Sequence, residues 1–326
     1  MFRTLSLATF TSMLALTGAA SMASAADLKV VASFSIIADL ARNVGGDAVD
    51  IKMLVPVDGD AHTYEPRPAD TASLAEADVV LVNGLGLEGF MSRLIETSGT
   101  KPPVVEVSKG VKPLKAEEDE DHEGGAHEGG EHAAADGQNK TEGHDGHHHG
   151  AFDPHAWQSI ANGEIYVKNI ADAFCTADKA HCATYTANSE AYLKKLKALN
   201  KEVHADIAAI PKAKRTIITT HDAFGYFAHE YGLKFLAPEG VSTEAEASAA
   251  DVARLVDQVK EDKASAVFVE NISNPRLIEQ IAKETGLNVG GTLYSDALSG
   301  KDGPASTCID MFHHNVKTMK AAILGS

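Results

Sequence analysis

Long apolar runs are almost missing from this chain. Past residue 25, no stretch approaches the roughly 18 uninterrupted apolar residues that a membrane-spanning helix requires. Aromatic residues are also sparse, at 6% with a single Trp, yet 44% of the 326 residues are hydrophobic, ample for two modest cores. Positive charge is scarce: 29 Lys and Arg against 46 Asp and Glu leave a net charge of −17, which argues against nucleic acid as a partner. Three cysteines are present without a Cys-x-x-Cys spacing, so thiolate ligation of a metal is not expected. Neither His-Glu-x-x-His nor a paired Ser/His arrangement occurs, and no enzyme is expected on these grounds.

What is present begins with a leader. Residues 1–25 carry one basic residue, Arg3, then an apolar run from Leu5 to Ala20 and a small-x-small site, Ala23-Ser24-Ala25. That is the layout of a cleaved secretory signal peptide. Without a cysteine at the cleavage site, the expectation is a soluble periplasmic protein with no lipid anchor. In such a chain three cysteines leave one unpaired. Cys175 and Cys182 flank a turn-like stretch and can close a small local disulfide, the favoured pairing; Cys308 is then a free, buried apolar residue.

The rest alternates strand and helix signals. Leu28–Ser35, Val49–Val55, Asp78–Gly84 and Pro103–Val107 read as strands, with helices over Ile36–Val44, Pro68–Ala77 and Gly89–Thr97. The second half repeats the pattern, with strands at Arg215–His221, Lys234–Leu236, Ala266–Glu270 and Asn288–Leu293 and helices near 222–231, 248–262 and 274–285. Apolar strands separated by helices predict an α/β fold of two lobes, each a parallel four-stranded sheet covered on both faces. Between the lobes, Tyr185, Tyr192, Leu196, Leu199, Val203, Ile207 and Ile210 recur at helical spacing and Pro211 ends the pattern. One linker helix over 183–210, or two shorter helices with a kink, both satisfy it. The expected division is an N-terminal lobe over 26–182, the linker helix, and a C-terminal lobe over 211–326.

Residues 115–150 differ in kind. Eleven carboxylates against two lysines supply nine of the seventeen net negative charges, and no apolar periodicity exists. Such a segment cannot bury a core and is expected to be disordered without metal. It also holds seven of the fifteen histidines: His122, His127, His132, His144, His147, His148 and His149. It reads either as a solvated acidic linker or as a set of weak, pH-dependent auxiliary zinc sites.

Four further residues follow strands or lead into helices: His62 after the second strand, His155 after the acidic segment, His221 at the end of the first strand of lobe two, and Asp296 after that lobe's last strand. In open α/β sheets ligands gather at the carboxyl ends of strands, where loops bring distant residues together. Three imidazoles and a carboxylate make a four-coordinate donor set suited to Zn²⁺, and four protein ligands leave no open position for catalysis.

The segments around them, Asp60-Ala-His-Thr-Tyr-Glu-Pro66, Asp153-Pro-His-Ala-Trp157, Thr220-His-Asp-Ala-Phe224, Gly240-Val-Ser-Thr-Glu-Ala-Glu-Ala-Ser248 and Tyr294-Ser-Asp296, resemble the signature segments of metal-binding proteins of ABC importers. The resemblance is to the zinc-specific periplasmic type, the cluster A-I or ZnuA–AztC kind, and covers nearly the whole mature chain. It implies a C-clamp of two (β/α) lobes joined by a rigid helix, with one Zn²⁺ bound tightly between them by His62, His155, His221 and Asp296. Glu65 or water is the alternative fourth ligand. Manganese-type relatives tend to carry Glu at the position of His221. The resemblance further implies a monomer that delivers its ion to an ABC permease, with a periplasmic zinc metallochaperone as a candidate donor. A manganese or iron cargo, or a metal-storage or adhesion role resting on 115–150, are the competing readings. His229 is a candidate neighbour of the site, while His181, His204, His313 and His314 read as surface or cap residues.

Overall fold

The computed structural model describes residues 27–99, 102–116 and 151–325; residues 1–25, expected to be a leader, and the seven histidines of the acidic segment lie outside the described residues. The N-terminal lobe runs β1 (Leu28–Phe34), α1 (Ser35–Gly45), β2 (Val49–Val55), α2 (Pro68–Glu76), β3 (Val79–Val82), α3 (Met91–Ser98) and β4 (Val104–Glu106), followed by α4 (Ile160–Ala177). A long helix, α5 (Cys182–Ala208), leads to the second lobe: β5 (Thr216–Ile218), α6 (Gly225–Tyr231), β6 (Lys234–Leu236), α7 (Ala249–Asp262), β7 (Val267–Glu270), α8 (Arg276–Thr285), β8 (Val289–Leu293) and α9 (Cys308–Leu324). Both sheets are parallel and four-stranded, in the orders β2-β1-β3-β4 and β6-β5-β7-β8.

The period-two alternation of a strand explains how each sheet is covered twice. In β1, Val30, Ala32 and Phe34 face one apolar cluster while Val31 faces another, with Leu74, Met91 and Leu94 of α2 and α3. The second sheet likewise turns Ile218, Leu236 and Val267 toward α7 and α8. The inner faces of the two sheets do not form separate cores. Phe34, Trp157, Tyr192, Leu199, Ile207, Phe224, Phe268 and Phe312 belong to one continuous apolar cluster that crosses both lobes.

Helix α5 is the reason for that continuity. It runs unbroken for 27 residues, about 40 Å, and buries Tyr185, Ser189, Tyr192, Leu196, Leu199, Val203 and Ile207 at spacings of three and four. The single helix, not the kinked pair, is what forms, because no Gly or Pro interrupts the stripe before Pro211. Its first turn is stapled to α4 by a disulfide between Cys175 and Cys182, while Cys308 stays free and buried at the start of α9.

One strand ends sooner than its sequence predicts. The apolar run through His221 gives only Thr216–Ile218, and His221 itself keeps just an isolated bridge to Glu239. The cause is a carboxylate: Glu270 Oε1 accepts the backbone N–H groups of Thr220 (2.7 Å) and His221 (2.9 Å), replacing the carbonyl of a neighbouring strand. Ladder pairing stops where the chain turns toward the cleft.

Candidate metal centre

The carboxyl ends of β2, β5 and β8 open into one cleft, and the four residues singled out from the sequence meet there. His221 lies three residues past β5 and Asp296 three past β8, whereas His62 is seven past β2, in the loop 56–67. His155 arrives by a different route, on the segment that follows the acidic insertion. The neck of that insertion is closed by an antiparallel bridge between Lys115 and Phe152 and by the Ala116 N–H donating to Ala151 O. Tyr226 OH then donates to Asp153 O and accepts the Leu114 N–H, both at 3.0 Å, and Asn83 Nδ2 donates to Pro154 O. A side chain at Gly225 would meet Asp153 Oδ2 and force that carboxylate, held by His155, to shift.

One ligand-type atom from each of His62, His155, His221 and Asp296 lies within 4.8 Å of every other. The His155 Nε2 is 3.3 Å from His62 Nε2 and 3.4 Å from His221 Nε2. Asp296 Oδ2 is 3.3 Å from His62 Nε2 and 3.2 Å from His221 Nε2, and Oδ1 is 3.6 Å from His155 Nε2. A tetrahedral ion with bonds of 2.0–2.1 Å has ligand–ligand edges of about 3.3 Å. Both oxygens of Asp296 are fully buried and face only the imidazole Nε2 atoms of the other three residues, an arrangement that costs several kcal/mol unless a cation or a charged imidazole compensates it. His155, His221 and Asp296 are 0% exposed and His62 9%. The residues fit a four-coordinate divalent ion.

Two carboxylates behind the imidazoles fix their orientation. Asp153 Oδ1 lies 2.7 Å from His155 Nδ1 and also accepts the His155 N–H. Glu270 Oε2 lies 2.6 Å from His221 Nδ1, a close ion-pair contact off the in-line direction of a hydrogen bond. Such partners leave Nε2 free to face an ion and raise the basicity of the ring. Burial disfavours the charged imidazole, yet Asp296 and Asp153 override it and lift His155 to about 9. Glu270 and Asp296 likewise overcome burial at His221 and raise it well above the ordinary value. Burial would raise Asp296, but His221 and His155 hold it well below the usual carboxylate range.

Neither Asp153 nor Glu270 was assigned a role from sequence. A carboxylate closing the otherwise apolar strand Ala266-Val-Phe-Val-Glu270 was the available signal. Glu65, weighed as a substitute oxygen, is exposed and outside the group of four. His229 is exposed on α6 and is no neighbour of the site. The remaining described histidines are occupied elsewhere: His181 beside Asp178 (2.6 Å), His204 beside Glu230 (3.3 Å), His313 beside Glu202 (3.5 Å) and His314 on Thr292 O (2.9 Å). Among the described residues no helix is long and apolar enough to cross a membrane.

Residues 30–322 match the family described as zinc-uptake complex component A, periplasmic (ZnuA). The chain is 33% identical over 296 residues to the manganese-binding lipoprotein MntA of Halalkalibacterium halodurans, covering 91% of this chain and 88% of that one. It is 32% identical over 291 residues to the iron-binding protein YfeA of Yersinia pestis, covering 89% and 85%. Its fold is similar to that of the periplasmic zinc-binding protein TroA of Treponema pallidum, with a TM-score of 0.78 and 27% identity over 91% of this chain and 99% of that one. Proteins of this kind are substrate-binding transport components that work outside the cytoplasm, not enzymes. The chain belongs to the ZnuA family of metal-binding substrate-binding proteins of ABC importers.

Proposed function

We propose that this protein captures one Zn²⁺ ion in the periplasm, holds it with His62, His155, His221 and Asp296, and delivers it to an ABC permease. The observation that carries the reading is the donor set. Three imidazole nitrogens and one carboxylate at near-tetrahedral spacing suit zinc, whereas manganese favours a larger share of oxygen ligands. The two lobes each give two ligands, so the ion bridges them and its release calls for their separation. The leader, 1–25, is removed on export, and the mature chain works as a monomer. The histidines of 115–150 raise local zinc concentration beside His155, or receive the ion from a metallochaperone.

A manganese or iron cargo is the second reading, favoured by the names of the relatives MntA and YfeA. Competitive titration of the purified mature protein with zinc, manganese and a chelator of known affinity separates them. One tight zinc per chain that excess manganese fails to displace is the expected result. Preference for manganese overturns the zinc assignment, and several weak ions confined to 115–150 overturn the capture site itself. Deletion of 117–149 is expected to leave the tight site intact and slow uptake only when zinc is scarce.

A further inference from the structure

The three imidazoles are not held alike. His155 and His221 each have a carboxylate on Nδ1, but among the described residues none lies on the Nδ1 of His62. His62 is also the most exposed of the four, and it stands in a loop without regular structure between β2 and α2. What holds it is its backbone. The His62 N–H donates to Asp60 Oδ1 at 2.8 Å, and the other oxygen of that carboxylate, Oδ2, accepts the hydroxyl of Thr243 at 2.6 Å. Thr243 comes from the opposite lobe, 183 residues away in sequence, on the segment between β6 and α7. That segment is anchored at its far end by Ser248, whose side chain caps α7 through Asp251 N–H. The same N-terminal loop is gripped a second time, where the Asp58 N–H donates to Leu298 O and Asn271 Nδ2 donates to Asp58 Oδ1, both at 3.0 Å.

We propose that Thr243 and Asp60 form a clasp between the lobes that positions His62 and sets how fast a bound ion leaves. The proposal rests on the four-residue site holding a metal. Chelators and water reach the ion first at its most exposed ligand, so dissociation starts with His62 moving away. While Thr243 fills Oδ2, the carboxylate is fixed and its Oδ1 holds the His62 backbone against the ion. Without the hydroxyl, Asp60 turns to solvent and the His62 end of the loop loosens, while the Asp58 contacts still hold its start. Thr243 thus acts through Asp60 and His62 and never touches the ion.

The test uses the full mature chain loaded with zinc alone. Release into excess chelator is followed for the wild type, Thr243→Val, Thr243→Ser, Asp60→Asn and the double variant Asp60→Asn/Thr243→Val. Loss of one hydrogen bond to a charged acceptor predicts roughly tenfold faster release from Thr243→Val, with Thr243→Ser close to the wild type. The double variant is expected to release no faster than Asp60→Asn, because both changes break one contact. In metal-free protein, Thr243→Val is expected to speed hydrogen exchange at the His62 amide while leaving that of α9 unchanged, a pattern general destabilisation does not give. Release from Thr243→Val within twofold of wild type, or additive effects in the double variant, overturns the clasp. If the wild type binds no zinc tightly, the metal reading fails instead, and His62 amide exchange alone still decides whether the clasp exists.

Discussion

The two lobes share one topology but present their ligands differently. In the C-terminal lobe His221 and Asp296 lie three residues beyond β5 and β8, so the parallel sheet itself sets their separation. In the N-terminal lobe His62 hangs from a loop and His155 follows a long insertion, and both depend on borrowed contacts for their positions. Some of those contacts come from the other lobe: Tyr226 grips Asp153 O, and Trp157 and Gln158, beside His155, donate to Ser295 O at 2.9 and 2.7 Å. One half of the site is templated by strands and the other is assembled against it. A protein that must both bind an ion tightly and let it go benefits from that inequality, since the assembled half can leave first.

The largest expected effect tests this difference directly. Structural zinc sites are worth roughly 10–16 kcal/mol over four ligands, so one ligand accounts for about 3–4 kcal/mol, or ~10²–10³ in affinity. His221→Ala should exceed that range, because it also leaves the buried Glu270 carboxylate without its partner. His62→Ala, at the rim with no carboxylate behind it, should fall at the lower end, with water as the replacement ligand. Isothermal titration with chelator competition measures both. Equal losses would remove the distinction between the two halves.

Acid should act next. His155, lifted to about 9, carries its second proton in the metal-free protein at neutral pH, and His221 is shifted in the same direction by Glu270 and Asp296. Metal must displace that proton, so affinity is expected to weaken by roughly one decade or more for each unit of pH lost below neutrality, with about one proton or more released per ion bound at pH 7. The metal-free fold has the opposite dependence. Groups whose folded pKa is raised above the unfolded 6.5 contribute their full stability below that pH and lose it as pH climbs through about 9. Melting temperatures of metal-free and zinc-loaded protein across pH 6–9 should therefore diverge. Parallel curves would mean that the imidazoles enter the cleft already neutral.

How much of this was legible in the sequence follows the same division. The β1 and β2 runs, the α5 stripe and the turn between Cys175 and Cys182 are local patterns, and they form close to where the sequence places them. The four ligands were legible because they fall at strand ends or beside a helix start, with the resemblance choosing among the histidines. Glu270 and Asp60 were not, because their roles exist only through contacts to residues 49 and 183 positions away. The early end of β5 has the same origin: propensity favoured a longer strand, and a tertiary carboxylate took its hydrogen bonds.

The carboxylates behind the imidazoles offer the next comparison. Glu270→Gln keeps an acceptor for the Thr220 and His221 amides but removes the charge beside His221 Nδ1, and Asp153→Asn does the same for His155. Loss of such a partner typically costs 10–100-fold in metal affinity. The Glu270 variant should lie nearer the upper figure, since Glu270 serves both the imidazole and the strand end, and Asp153→Asn nearer the lower.

The smallest effect on the site is expected from the staple farthest from it. Opening the Cys175–Cys182 bridge by a double Ser substitution releases a short loop, and the entropy of closing so small a ring predicts a stability loss of about 2–3 kcal/mol. The bridge joins α4 to the first turn of α5, and Tyr185 OH still donates to Asp178 Oδ2 at 2.9 Å across the same turn. The helix pair should therefore persist, held by the buried Phe174 and Tyr185 rings, whose centroids are 5.4 Å apart. Urea unfolding should record the loss while zinc affinity stays within twofold of the wild type. A fall in affinity as large as that of Asp153→Asn would show that the α4–α5 hinge sets the position of His155, making the assembled half of the site dependent on the linker helix as well as on the opposite lobe.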